Sequence, residues 1–168
     1  MKEEKVLYNA VVCFPVQNGG IWLGRKVKKI GAGLWNGWGG GIEEGETPVE
    51  ATCRELFEEA GVKVKSKDLI KVAEVIFNNT KSDGQNFELR IHVYFAQDWI
   101  GEIAPSDEMA EPTLFPLDSV PYDQMMPADR DWLPPVLEGK KVKAEAWYGP
   151  FQESLLKETV INIVENFD

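Results

Sequence analysis

Histidine and cysteine are scarce in this chain: 168 residues contain one histidine, His92, and two cysteines, Cys13 and Cys53. Zinc fingers and scaffolds of several disulfides lack the side chains they need, and acid-base chemistry by imidazole or thiolate has few candidates. Both cysteines lie in apolar stretches and read as core thiols. Positive charge is also short, with 18 Lys and Arg against 28 Asp and Glu, a formal net charge of −10. Long nucleic acid rewards basic surfaces, so a nucleic-acid polymer is not an expected partner. No apolar run approaches the roughly 20 residues of a membrane span. The opening Met1-Lys2-Glu3-Glu4-Lys5 is charged, with no apolar signal region after it. The length suits one domain over residues 1–168, expected to be a monomer, and these absences fit the cytoplasm with no membrane partner.

Carboxylates are abundant and, between Gly40 and Val62, regularly placed: Gly40, Glu46, Arg54-Glu55-Leu56-Phe57-Glu58-Glu59, Gly61-Val62. The spacing predicts a helix from Thr47 to Ala60. Thr47 suits the N-cap, Pro48 the first helical position, and Glu50 completes a capping box. Gly61 suits a left-handed C-terminal turn. At about 100° per residue, Val49, Cys53, Leu56 and Ala60 share one side, and Glu55, Glu58 and Glu59 the other. Three acids so close repel one another. Arg54, four residues before Glu58, can orient it but cannot neutralise all three. A divalent cation can, and oxygen-only ligands favour Mg2+ or Mn2+ over zinc. Glu46 and the Gly40 carbonyl can approach from the preceding loop.

This pattern resembles the complete Nudix box. The resemblance implies a mixed β-sheet sandwiched between helices, an α/β (α+β) class with α/β/α layering. It also implies hydrolysis of a nucleoside diphosphate linked to another moiety. The metal ligands it implies are Gly40, Glu55, Glu58 and Glu59, with Arg54, Glu58, Glu59 and the more distant Glu108 as catalytic residues and Glu59 or Glu58 as the base. The order of Leu7-Tyr8-Asn9, Gly31 to Gly40, Ser106 to Met109, and Met126-Pro127-Ala128-Asp129 before Trp132 is similar to the MutT-type sanitising enzymes. It extends the likeness from about Val6 to Phe151. That likeness implies a small-molecule nucleotide substrate, an oxidised or otherwise modified purine triphosphate. Asn36 and Asp129 would contact the base edge, with Asn9, Lys26, Phe77 and Met126 lining its pocket.

The residues themselves allow Asn36 to be a turn former before Gly37, and Asp129 to cap a helix over Asp131–Leu137. Met126, Ala128 and Ile30 depart from the family pattern, which has an aromatic, an acid and an aromatic there. These departures predict a broader range of modified purines. Dinucleoside polyphosphates or nucleotide sugars are the alternative substrates, and nucleotide binding without turnover the alternative function.

Elsewhere, periodicity predicts strands near Val6–Val16, Ile21–Val27, Ile70–Phe77, Phe87–Gln97 and Lys141–Tyr148. Turns are expected at Asn18-Gly19-Gly20 and around 81–85. The proline-rich region from Pro105 to Pro135 reads as an irregular substrate loop with a short helix. His92 reads as structural, and Trp132 and Trp147 as core aromatics.

Overall fold

In the computed structural model, which describes residues 6–168, the chain runs through strands β1 (Asn9–Gln17), β2 (Gly20–Lys26), β3 (Trp35–Asn36) and β4 (Trp38–Gly41), then helix α1 (Pro48–Ala60). Strands β5 (Leu69–Thr80), β6 (Asn86–Ala96) and β7 (Met109–Pro116) follow, then helix α2 (Asp129–Leu137), β8 (Lys141–Tyr148) and β9 (Val160–Val164). The charged opening, Met1 to Lys5, lies outside the described residues. The strands join one mixed sheet in the order β3-β2-β1-β6-β5-β8-β9, with β4 paired to β1 and β7 to β2. The pairs β1–β6 and β5–β8 are parallel.

Alternation along the central strands serves two cores at once. Leu89 and Val93 of β6 pack with Phe14 of β1 and with Trp132, Leu133 and Val136 of α2. Tyr94 and Ala96 face the other way and pack with Val11, Cys13 and the α1 residues Ala51, Leu56 and Ala60. A sheet buried on both faces and covered by one helix on each is the sandwich expected from the resemblance. No helix among the described residues is long and apolar enough to cross a membrane.

Local chemistry explains α1. The Thr47 hydroxyl accepts from the Glu50 N–H, the Glu50 carboxylate accepts from the Thr47 N–H, and Gly61 closes the helix at φ 76°. The division of its faces differs from the helical-wheel expectation. Glu55 lies on the packed side, only 8% exposed, while Phe57 is 55% exposed. Val49 and Cys53 are half-buried rather than core.

Four strands escaped the periodicity argument, and each is short or interrupted. β3 and β4 comprise two and four residues, three of them glycine. β7 crosses the region expected to be irregular, where it pairs with β2. Its Glu111-Pro112 step falls opposite a register shift between Leu23 and Arg25, so the proline replaces no ladder hydrogen bond there. α2 begins at Asp129 rather than Asp131, with Ala128 at its N-cap making no side-chain cap. Trp132 is buried as expected, but Trp147 is half-buried, with Lys157 Nζ 3.9 Å from its ring centroid.

Candidate active site

The β4 strand brings the loop side of the site against β1. A Cβ on Gly39 would run into the Val11 carbonyl, so only glycine permits this approach. The neighbouring Gly40 faces Glu55: a Cβ there would sit 2.5 Å from its Oε1. Glycine at 40 therefore opens the space that the Glu55 carboxylate fills.

Arg54 organises the acids. Its Nε and Nη2 donate to the two Glu46 oxygens at 2.7 and 2.9 Å, a bidentate pair. Nη1 donates to Glu55 at 3.0 Å and Glu58 at 3.3 Å, and Nη2 also reaches the Gly41 carbonyl at 3.1 Å. Glu46 is thus not poised to ligate from the loop, as its position suggested. The Arg54 guanidinium holds it, and those hydrogen bonds pull its carboxyl down to about 2.

Glu59 is in the opposite state. Burial, then the charges of Glu55 and Glu108 and a hydrogen bond with Glu55, push its carboxyl up to about 8, while Lys26 acts against them. Residues far apart in sequence therefore meet electrostatically: Glu55 and Glu59 from α1, Glu108 before β7, and Lys26 at the end of β2. Glu108 also lies 3.7 Å from Lys29 Nζ and 3.9 Å from Lys28 Nζ. Among the described residues, no three His, Cys, Asp or Glu side chains already surround one point as a finished metal cage.

The expected base-pocket residues divide between the two faces of the sheet. Lys26, Met126, Phe77 and Asp129 are linked. Lys26 Nζ donates to the Ile30 carbonyl at 2.6 Å, and a Cβ on Gly31 would meet both Lys26 and the Met126 sulfur. Phe77 stacks edge-on against Tyr148 with ring centroids 4.8 Å apart, and the Tyr148 hydroxyl accepts from the Ala128 N–H. Asn9 departs from this group. It shares its side of β1 with Val11 and Cys13, and its Oδ1 lies 3.0 Å from His92 Nε2. Strand alternation turns it to the α1 face. His92 also meets Lys71 Nζ at 2.9 Å, a buried structural network. Asn36 Oδ1 accepts from the Gly37 N–H at 2.8 Å, the local turn bond, which leaves its amide hydrogens for another partner.

Asp129 is 4% exposed, and its Oδ1 accepts from Trp132 Nε1 at 3.1 Å. Burial outweighs that bond and the Met126 backbone contact, raising its carboxyl to about 7. A carboxyl raised on folding costs stability as pH climbs from its unfolded value towards its folded one. Asp129→Asn is therefore more stable than the parent at pH 8, by at most about 4 kcal/mol, and melts higher. The gap closes near pH 4, as thermal melts across that range will show. A gap independent of pH would remove this account of Asp129.

Sequence comparison places this geometry in a family: the chain matches the NUDIX domain over residues 7–136. It belongs to the Nudix family. The oxidized purine nucleoside triphosphate hydrolase of Danio rerio is 39% identical over 126 residues, covering 75% of this chain and 77% of that protein. Its counterpart from Mus musculus is 36% identical over 135 residues, covering 80% and 81%. A MutT protein from Bacillus halodurans shares the fold with a TM-score of 0.76, at 24% identity over 93% of this chain and 98% of that one. This Nudix hydrolase is therefore similar to enzymes named for hydrolysing nucleoside triphosphates.

Tyr148 and the Glu46–Arg54 pair are parts of the Nudix site region that sequence reasoning missed. Tyr148 ends a strand with unremarkable alternation, and nothing in its spacing points to Ala128.

Proposed function

We propose that this Nudix hydrolase converts a purine nucleoside triphosphate, oxidised or otherwise modified on the base, into the monophosphate and pyrophosphate. The observation that carries this reading is the similarity, over three-quarters of the chain or more, to two hydrolases named for oxidised purine triphosphates. The Lys26, Glu55, Glu59 and Glu108 cluster supplies the chemistry.

The donor set fits a hard divalent cation, Mg2+ or Mn2+. Carboxylates and carbonyl oxygens are present without imidazole or thiolate, and burial together with the charges of Glu55 and Glu108 keeps a proton on Glu59 near neutrality, against the pull of Lys26. Glu55, Glu58, Glu59 and the Gly40 carbonyl would hold the ion. When bound, it would screen the phosphate oxygens and lower the Glu59 carboxyl into the basic form. Glu59 then accepts a proton from the attacking water. Arg54 keeps Glu55 and Glu58 turned towards the site, and Lys26 faces the incoming negative charge. Asn36 and the Asp129 carboxyl meet the base edge, with Phe77 and Met126 against its plane.

Addition of Mg2+ should raise the melting temperature more at pH 8 than at pH 6, because a proton on Glu59 competes with the cation. An equal shift at both values would sink that linkage. The substrate reading is tested by product identity with a panel of 8-oxo-dGTP, 2-hydroxy-dATP, O6-methyl-dGTP, dGTP, a dinucleoside polyphosphate and a nucleotide sugar. Monophosphate plus pyrophosphate from a modified purine triphosphate is the expected result. Much faster cleavage of the dinucleotide or the sugar would overturn it.

A further inference from the structure

A cleft lies between the start of β6 and the 149–152 segment, lined by Ile30, Asn79, Phe87, Phe151 and Gln152 among others. It adjoins the base-pocket residues on one side: Asn79 is the β-ladder partner of Tyr148, which stacks on Phe77 and holds Ala128. On the other side, the Ile30 carbonyl accepts from Lys26, whose charge acts on Glu59.

Two aromatic rings and two amides are the side chains that hold a nucleobase: the rings cover its plane and the amides meet its edge. Asn79 is 3% exposed. Its Oδ1 is taken by Gln152 Nε2 at 3.0 Å, which fixes the orientation of the amide. Its nitrogen, with two hydrogens to donate, reaches the Phe77 carbonyl at 3.5 Å, the outer limit of a hydrogen bond. Phe151 and Gln152 both adopt left-handed backbone angles, φ 58° and 55°, unusual for consecutive residues other than glycine. Such strain persists where the surroundings impose it, often beside a ligand.

We propose that Asn79 is a specificity-determining residue that donates from its amide nitrogen to a carbonyl oxygen on the substrate base, with Gln152 as its positioning residue. The inference rests on the purine triphosphate reading and deepens it. A donor fixed in this way favours purines bearing an oxo group over those bearing only an amino group. With Gln152 Nε2 donating to the Asn79 oxygen, the nitrogen is the atom this amide offers to the base.

The test is equilibrium binding of 8-oxo-dGMP and dAMP, which needs no turnover and no metal, to the wild type, Asn79→Leu and Gln152→Leu. Loss of the donor is expected to weaken 8-oxo-dGMP binding about tenfold, with dAMP binding changed less than about twofold. Gln152→Leu, at a half-buried site, should narrow the same ratio by about threefold, and it covers the case in which Asn79→Leu does not fold. An unchanged ratio in both variants, or in the one that folds, overturns the proposal, as does failure of the wild type to bind either nucleotide. Separate turnover assays judge the hydrolase reading: binding discrimination without purine triphosphate hydrolysis would sink that reading and leave the Asn79 assignment standing.

Discussion

Glu59→Gln should lower metal-dependent triphosphate hydrolysis by about 10²–10⁴-fold while leaving the fold intact or more resistant to high pH. Glutamine keeps the shape of the side chain and can still hydrogen-bond Glu55, but it cannot accept the proton of the attacking water. The stability outcome has its own sign. The Glu59 carboxyl is raised to about 8 in the folded chain, chiefly by burial and then by Glu55 and Glu108. Its ionisation therefore works against the folded state as pH rises from its ordinary range through 8. A neutral amide removes that penalty. Pyrophosphate release at saturating Mg2+, paired with melts at pH 6 and 9, separates the two effects. Activity above a tenth of wild type would remove Glu59 from the role of base and turn attention to Glu58. Inactivity with a lower melting temperature at pH 9 would mark it as structural.

The second large effect is at Arg54. Arg54→Ala leaves Glu55, 8% exposed, and Glu46 without their shared cation. Breaking a buried ion pair by removing one partner costs about 3–5 kcal/mol. The Arg54 side chain is 22% exposed, so solvent screening reduces the expected loss to about 2–3 kcal/mol. For a chain of this size that is a fall of roughly 5–10 °C in melting temperature. The pH profile identifies the cause. The Glu46 carboxyl is held down to about 2 by the Arg54 hydrogen bonds. The stability this supplies is complete above the ordinary carboxyl range and disappears as pH falls towards 2. The variant should lack that acid-sensitive component, so the two melting curves converge at low pH. Arg54→Lys should recover only part of the loss, because an ammonium cannot reproduce the two parallel bonds to Glu46. Hydrolysis should also fall, about 10–100-fold, as Glu55 and Glu58 lose the group that aims them. Equal destabilisation at pH 7 and pH 3 would contradict the ion-pair account.

Such a network bears on why some of the site was legible in sequence and some was not. Spacing within α1 is local, and helical geometry converts it directly into shared faces and caps. Thr47, Glu50 and Gly61 accordingly take the predicted positions. The same spacing misassigned Glu55, because which side of a helix is covered depends on what packs against it. Here Gly40 of β4 opens the space that the Glu55 carboxylate fills. Asn9 shows the analogous limit for a strand: alternation fixes that neighbours face opposite ways, but the sheet partners decide which face carries the pocket. β7 was hidden because its proline and Glu111, at φ 51°, sit in an interruption of the ladder.

By itself the sequence determined the Nudix box, the helix that carries it, an oxygen-rich donor set suited to a divalent cation, and the mixed α/β/α architecture. The helix and the donor set follow from short-range spacing and composition, which a linear string records, and the architecture is what the resemblance carried by the box implies. Tertiary structure alone decided that Glu46 pairs with Arg54, that Glu59 meets Glu108 and Lys26, that Asn9 turns away from Phe77, and that Asn79, Phe87 and Gln152 share a cleft beside them. Those relations join residues from different strands and loops. Their physical basis is the pairing register of a sheet and the burial that shifts a carboxyl by neighbours remote in the chain, neither of which has a period to read.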